Sequence, residues 1–183
     1  MTTLRFAATG VMLLAAAACG DGRGALLPTA PSLTARAGSS TLSPSEAGPI
    51  QTSGHFDAIV DFSTVTLTPK GVNCLLEISG RLVFTGTIEG TATGRTSALE
   101  FAPCAEVAIN PPGTFEDVFK SVATFKGTIA GEPAQSDLLY MGRVQVGGAI
   151  DGRFIFSNGV AGELDVKSVV AVGGTYQGSL VVK

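Results

Sequence analysis

The chain has 183 residues, of which 45% are hydrophobic and 15% charged, and its formal charge is −3. That composition supplies one full apolar core, and with no basic run it argues against nucleic acid as a partner. Twenty-four glycines and no tryptophan, without a collagen period, indicate many turns rather than low complexity.

Residues 1–18 hold one positive charge, Arg5, then the apolar run Phe6 to Leu14 and four alanines. A short charged start, an apolar centre and small residues at the end make a signal peptide, too short for a good membrane span. Cys19 follows at once. Small residues before a cysteine at this point resemble the bacterial lipobox, which implies that Cys19 is lipidated and becomes the mature N-terminus. Ala16 departs from that pattern, in which leucine is preferred. An ordinary signal peptide cleaved after an alanine, with Cys19 incidental, is the alternative.

Residues 19–52 are mostly Gly, Ala, Ser, Thr and Pro with little apolar periodicity. They are predicted to be a disordered tether, and about thirty such residues span roughly 30 Å. A tether suits an anchored Cys19 because it lifts a domain clear of a membrane.

From residue 53 to 183 the texture becomes that of strands. Phe56, Ala58, Val60 and Phe62 alternate with polar residues, and Pro69-Lys70-Gly71 turns. Leu76, Ile78, Leu82, Phe84 and Ile88 continue the alternation, and a turn is expected near Glu89-Gly90. The next strand, from Thr96 to Ala102, is expected to place Leu99 and Phe101 on the apolar face. Residues 105–117, with Asn110-Pro111-Pro112-Gly113, are expected to be loop. Val118 to Ile129 and Leu138 to Val146 are strands separated by Gly131-Glu132-Pro133, with Tyr140, Val144 and Val146 on one face. Gly147-Gly148 fits a two-residue turn, Phe154 and Phe156 share a face, and Gly152 suggests a bulge. Asn158-Gly159 is the strongest hairpin signal in the chain. Gly173-Gly174 is expected to turn into a last strand carrying Tyr176, Leu180 and Val182.

Cys19 apart, two cysteines remain, and an even pair in an exported chain implies a disulfide. A hairpin turning near Glu89-Gly90 would bring Cys74 and Cys104 within a residue of register. Closing a loop of about thirty residues is worth roughly 3.5 kcal/mol.

No helical period is convincing. About eight strands, each with one apolar face and no helix to cover it, must pack on one another. Sequential hairpins favour a closed antiparallel up-and-down barrel, with a β-sandwich as the alternative, and closure removes the exposed edges. Two ribbons recur in it, Phe84-x-Gly86-x-Ile88-x-Gly90 and Phe125-x-Gly127-x-Ile129-x-Gly131. With the ending Gly173-Gly174-Thr175-Tyr176-Gln177-Gly178, they resemble small bacterial proteins of unknown function in the DUF3224 group. Those are similar in fold to allene oxide cyclase and dirigent proteins, which are eight-stranded barrels. The resemblance covers roughly Ser53 to Lys183 and implies fold. No polar motif matches, so no catalytic residue carries over.

The chemistry of the residues is sparse. The single histidine, His55, lies on the polar side of the first strand and reads as solvated. No nucleophile elbow, P-loop, dinucleotide motif or cysteine–histidine metal cluster is present. Neither cofactor nor metal is expected. Glu89, Glu100, Glu163 and Asp165 fall mostly opposite the apolar face, and Arg143 and Arg153 are expected outside.

The first expectation is therefore an exported lipoprotein of the bacterial envelope, on its periplasmic or cell-surface face, held to the membrane by its lipid. Its barrel would take a small apolar ligand in a lumen lined by Phe56, Phe62, Phe84, Phe154, Phe156 and Tyr176. A filled, purely structural barrel stands next. A cyclase- or isomerase-like enzyme that steers a reactive intermediate by shape comes last. An open apolar cavity of about 300 Å³ would favour binding or steering, and polar groups converging in it would raise the enzyme.

Overall fold

The computed structural model describes residues 48–183. Cys19, the expected signal peptide and most of the expected tether lie outside the described residues. Eight strands follow in order: β1 Ile50–Lys70, β2 Asn73–Gly86, β3 Ile88–Glu100, β4 Asp117–Ile129, β5 Glu132–Val144, β6 Ala149–Ser157, β7 Val160–Val169 and β8 Gly173–Val182. A four-residue helix, α1 (Cys104–Val107), lies between β3 and β4. Each strand pairs antiparallel with the next, and β1 pairs with β8, so the sheet closes into an up-and-down barrel. The first strand takes in the end of the expected tether, beginning at Ile50.

Alternation builds the inside. In β6, Ile150, Phe154 and Phe156 are buried while Asp151, Arg153 and Ser157 are exposed. Following the ladder from Cys74 gives Glu100, Asp117, Val144, Ile150, Ser168, Gly174 and Phe56. Phe56 then pairs with Phe84 of β2, not with Cys74. The row is thus a spiral, the stagger that tilts strands and closes a barrel.

One end is plugged. Phe84 meets Phe125, Phe154 and Tyr176 with ring centroids 5.4–5.8 Å apart in edge-on geometry, the favourable arrangement for such rings. Beyond them Ile88 and Ile129 pair across the ladder and are fully buried. Tyr176 Oη accepts from the Ile88 amide at 3.0 Å and donates to the Thr85 carbonyl at 3.0 Å. That hydroxyl ties β8 to the residues on either side of the β2–β3 turn.

The two glycine ribbons both lie at this plugged end, in different settings. The second is the end of β4, whereas the first crosses from β2 into β3. The turn is at Thr87, not at Glu89-Gly90. Gly90 sits inside β3, where a Cβ would come within 2.4 Å of the Lys126 carbonyl oxygen. It permits close packing of β3 on β4. Gly173-Gly174 is likewise not a turn. It opens β8, and a Cβ on Gly173 would lie 2.1 Å from the Phe56 carbonyl oxygen at the seam of the barrel. The turn there is formed by the preceding residues, with Ala171 at φ 57°. Gly152 makes no bulge and pairs regularly with Gly142 and Val166. Asn158 and Gly159 do form the expected tight turn, both at positive φ.

A bulge does occur in β1, between Asp61 and Thr66. Asp61 Oδ1 accepts from the Ser63 amide at 3.1 Å, and Thr64 Oγ1 accepts from the Ser79 amide at 2.8 Å. These short polar side chains take over ladder bonds, and the extra residues shift the strand's phase. Ala58 and Val60 face in before the bulge; Val65 and Leu67 do so after it. Phe62, on the bulge, is 56% exposed.

The disulfide joins Cys74 to Cys104, but not as a rung of the hairpin. Cys74 pairs with Glu100 on the ladder. Cys104 belongs to α1, so the bridge fastens the β3–β4 connection to the barrel wall.

Candidate functional site

Opposite the aromatic plug the lumen is hollow. A cavity of about 390 Å³ opens at the end formed by the β1–β2, β3–β4, β5–β6 and β7–β8 connections. Its walls are mainly apolar: Phe56, Leu67, Leu76, Ile78, Leu82 and Phe119. Phe62 and the loop Pro111-Pro112 stand at its rim. The neighbouring turns carry further exposed aliphatics, Val72, Ile109, Val146 and Val172.

The hollow has a cause in the sequence. The inner face of β3 presents Ala92, Gly94, Thr96 and Ala98 to the cavity, all small residues. Larger side chains on the facing walls do not reach across. At the plugged end the same strand supplies Ile88, and the space is filled.

Three polar pairs interrupt the apolar wall. Thr96 and Ser121 are opposite each other on β3 and β4, and their hydroxyls lie 2.5 Å apart. Tyr140 Oη on β5 is 2.8 Å from Ser168 Oγ on β7, over the intervening β6. Burial pushes the Tyr140 hydroxyl up to about 12, against a smaller lowering by Ser168, so it stays protonated. The third pair is Glu100 and Asp117, directly opposite on the β3–β4 ladder and both on the inner face. They are 8% and 3% exposed. Asp117 Oδ1 has no hydrogen-bond partner. Like charges at opposed positions repel, and burial penalises each ionised form. Burial, then the Glu100 carboxylate, pushes Asp117 up to about 7, and burial raises Glu100 too. The pair can hold a proton at neutral pH, offering both a donor and an acceptor to whatever enters the cavity.

Of the aromatic residues expected to line the lumen, Phe56 and Phe62 face the cavity. Phe84, Phe154, Phe156 and Tyr176 are buried in the packed interior and do not line it. His55 is exposed on the outer face of β1. Arg143 and Arg153 lie outside, paired with Glu116 at 2.5 Å and with Glu163 at 2.6 Å. Glu89, Glu163 and Asp165 are exposed. Glu100 is not outside. The bulky residues Leu99 and Phe101 suggested the opposite phase for β3, yet Phe101 is 44% exposed while Ala92 and Ala98 are buried. Asp117, expected at the end of the loop, is the first residue of β4. Its signal was the alternation running back from Phe125 through Ala123, Ser121 and Phe119. Among the described residues no three His, Cys, Asp or Glu side chains gather to hold a metal.

A solved structure from the DUF3224 family of Shewanella oneidensis MR-1, a protein of unknown function, superposes on this barrel with a TM-score of 0.53. It is 14% identical, and the match covers 74% of this chain and 98% of that one. The shared feature is the fold. The DUF3224-like barrel is thus the architecture that the glycine ribbons pointed to. No protein-family model and no curated protein matches the chain.

Proposed function

We propose that this DUF3224-like barrel is a binding protein for a small, largely apolar molecule. We further propose that it is exported to the bacterial envelope and held at a membrane through lipidated Cys19. The observation that carries the first part is the cavity of about 390 Å³, apolar-walled and open at one end. It lies within the usual size range for small-molecule sites, which are mostly apolar with a few placed polar groups. A purely structural barrel has no need of a hollow, since filling it would add packing energy.

Titration with the neutral dye N-phenyl-1-naphthylamine tests this reading. Saturable fluorescence enhancement at one site per chain is expected. A linear, unsaturated response would refute it.

The leader, Cys19 and the small-residue stretch after it support the envelope assignment. The Cys19→Ala variant is expected in the soluble fraction; continued partition with membranes would remove the anchor. The described chain enters the barrel at Ile50, which pairs with Leu180 at the plugged end.

One observation favours a second reading, a cyclase- or isomerase-like enzyme. Glu100 and Asp117 place a carboxylic acid and a carboxylate side by side in a confined site, the arrangement required for proton transfer to a held substrate. The binding step is common to both readings.

A further inference from the structure

We infer that the Glu100–Asp117 pair is the polar anchor of the cavity, and that the ligand is a small amphiphile whose protonated amine sits between the two carboxyls. This rests on the binding reading above and names the ligand's chemistry. The cavity wall offers Phe119, Ala98 and Leu76 for an apolar body. Asp117 is 3% exposed, lines the hollow and leaves Oδ1 without a hydrogen-bond partner. Buried polar atoms are normally satisfied, and this orphan belongs to a side chain on the cavity wall, where a small turn of the carboxyl would meet an entering donor.

A cation suits the place better than a neutral donor. Arg81, Glu100 and Asp117 are the charged residues along the cavity, and Arg81 is exposed. From the neighbouring strands Asp117 meets Val144 on β5 and Glu100 on β3, and Glu100 meets Cys74, which is locked in the disulfide. Tyr140 stays neutral, and Ser168 carries no charge. On either side of the pair Glu116 bonds to Arg143, and Glu106 of α1 is exposed. Among the described residues, two acids thus share a buried site with no buried base, and an entering ammonium supplies the missing charge. Its three N–H groups also exceed what one alcohol hydroxyl can donate.

The pH sense follows. Asp117 gives up its proton as pH rises through about 7, whereas an alkylamine stays protonated to about pH 10. Amine affinity should therefore climb between pH 5 and pH 8, while that of an isosteric alcohol stays flat.

The test is displacement of bound N-phenyl-1-naphthylamine by 4-phenylbutylamine and, separately, by 4-phenylbutan-1-ol. At pH 8 the amine is expected to compete at a concentration at least about tenfold lower, the size of a charge-assisted hydrogen bond. That preference should shrink at pH 5 and vanish in Glu100→Gln/Asp117→Asn, whose fold is checked by circular dichroism. Equal potency of amine and alcohol at pH 8, or a preference that survives in the double variant, overturns the amine assignment while dye binding keeps the cavity reading. Failure of the wild-type protein to bind the dye at all overturns both.

Discussion

Asp117 sits where an ionised carboxylate is least welcome, buried and directly opposite Glu100 on the ladder. Its proton is held up to about pH 7 in the folded chain, against 3.8 for the free side chain. Between those values the folded state binds a proton that the unfolded state has released, so stability falls as pH rises. Below the lower value both states are protonated, and above the upper one both are ionised, so the slope is confined to that window. The stability lost across it is about 4 kcal/mol. Urea unfolding at pH 5 and pH 8 should show the wild-type protein weaker at pH 8, and Asp117→Asn should lose most of that difference. An unchanged slope in the variant would mean that Asp117 is not the group responsible. Tyr176 makes a second residue-scale case. Tyr176→Phe keeps the ring in the plug but removes the acceptor of the Ile88 amide. A buried donor left without that partner costs about 1–3 kcal/mol in urea unfolding, whereas a value near zero would mean that water replaces the hydroxyl.

At the scale of elements, closure depends on backbones that approach closely. Gly173 has φ 126° and would place a Cβ 2.1 Å from the Phe56 carbonyl, whereas Gly131, in the β4–β5 turn at φ 86°, has open space around it. Gly131→Ala should cost about 1 kcal/mol from its backbone conformation alone. Gly173→Ala must also separate β8 from β1, so thermal melts should place it clearly below Gly131→Ala. Equal losses would show that φ alone matters. The bridge from Cys74 to α1 closes a separation of 30 residues. Cys74→Ser/Cys104→Ser should lose about 3.5 kcal/mol in urea unfolding, from the greater freedom of the unfolded chain.

Much of this level was legible in the sequence. Phe154 and Phe156 announced β6, Asn158-Gly159 announced its turn, and the strand count followed from the alternation. What failed was phase and register. In β3 the inner positions are alanine and glycine, so Leu99 and Phe101 pulled the reading to the wrong face and took Glu100 with them. In β1 the bulge at Asp61 to Thr66 changed the inward parity midway. Asp117 was hidden because the Pro111-Pro112-Gly113 loop masked the start of β4. The carboxyl pair exists only through register between two strands, which a strictly local pattern does not carry.

For the whole molecule, the barrel divides its length between two tasks. One end is closed by aromatic rings and the Tyr176 hydroxyl bonds; the other is left hollow by small residues on β3. Ala98, buried and on the cavity wall, is the natural place to test whether the hollow is a binding site. Replacing it by phenylalanine puts a ring into existing space, with Phe119 as its cross-strand neighbour. The decisive measurement is a titration of N-phenyl-1-naphthylamine into wild-type protein and Ala98→Phe, with circular dichroism confirming that both are folded. Saturable binding by the wild type, weakened at least about tenfold in a folded Ala98→Phe, is the predicted result. Equal binding by both proteins, or none by the wild type, would contradict a ligand-binding lumen.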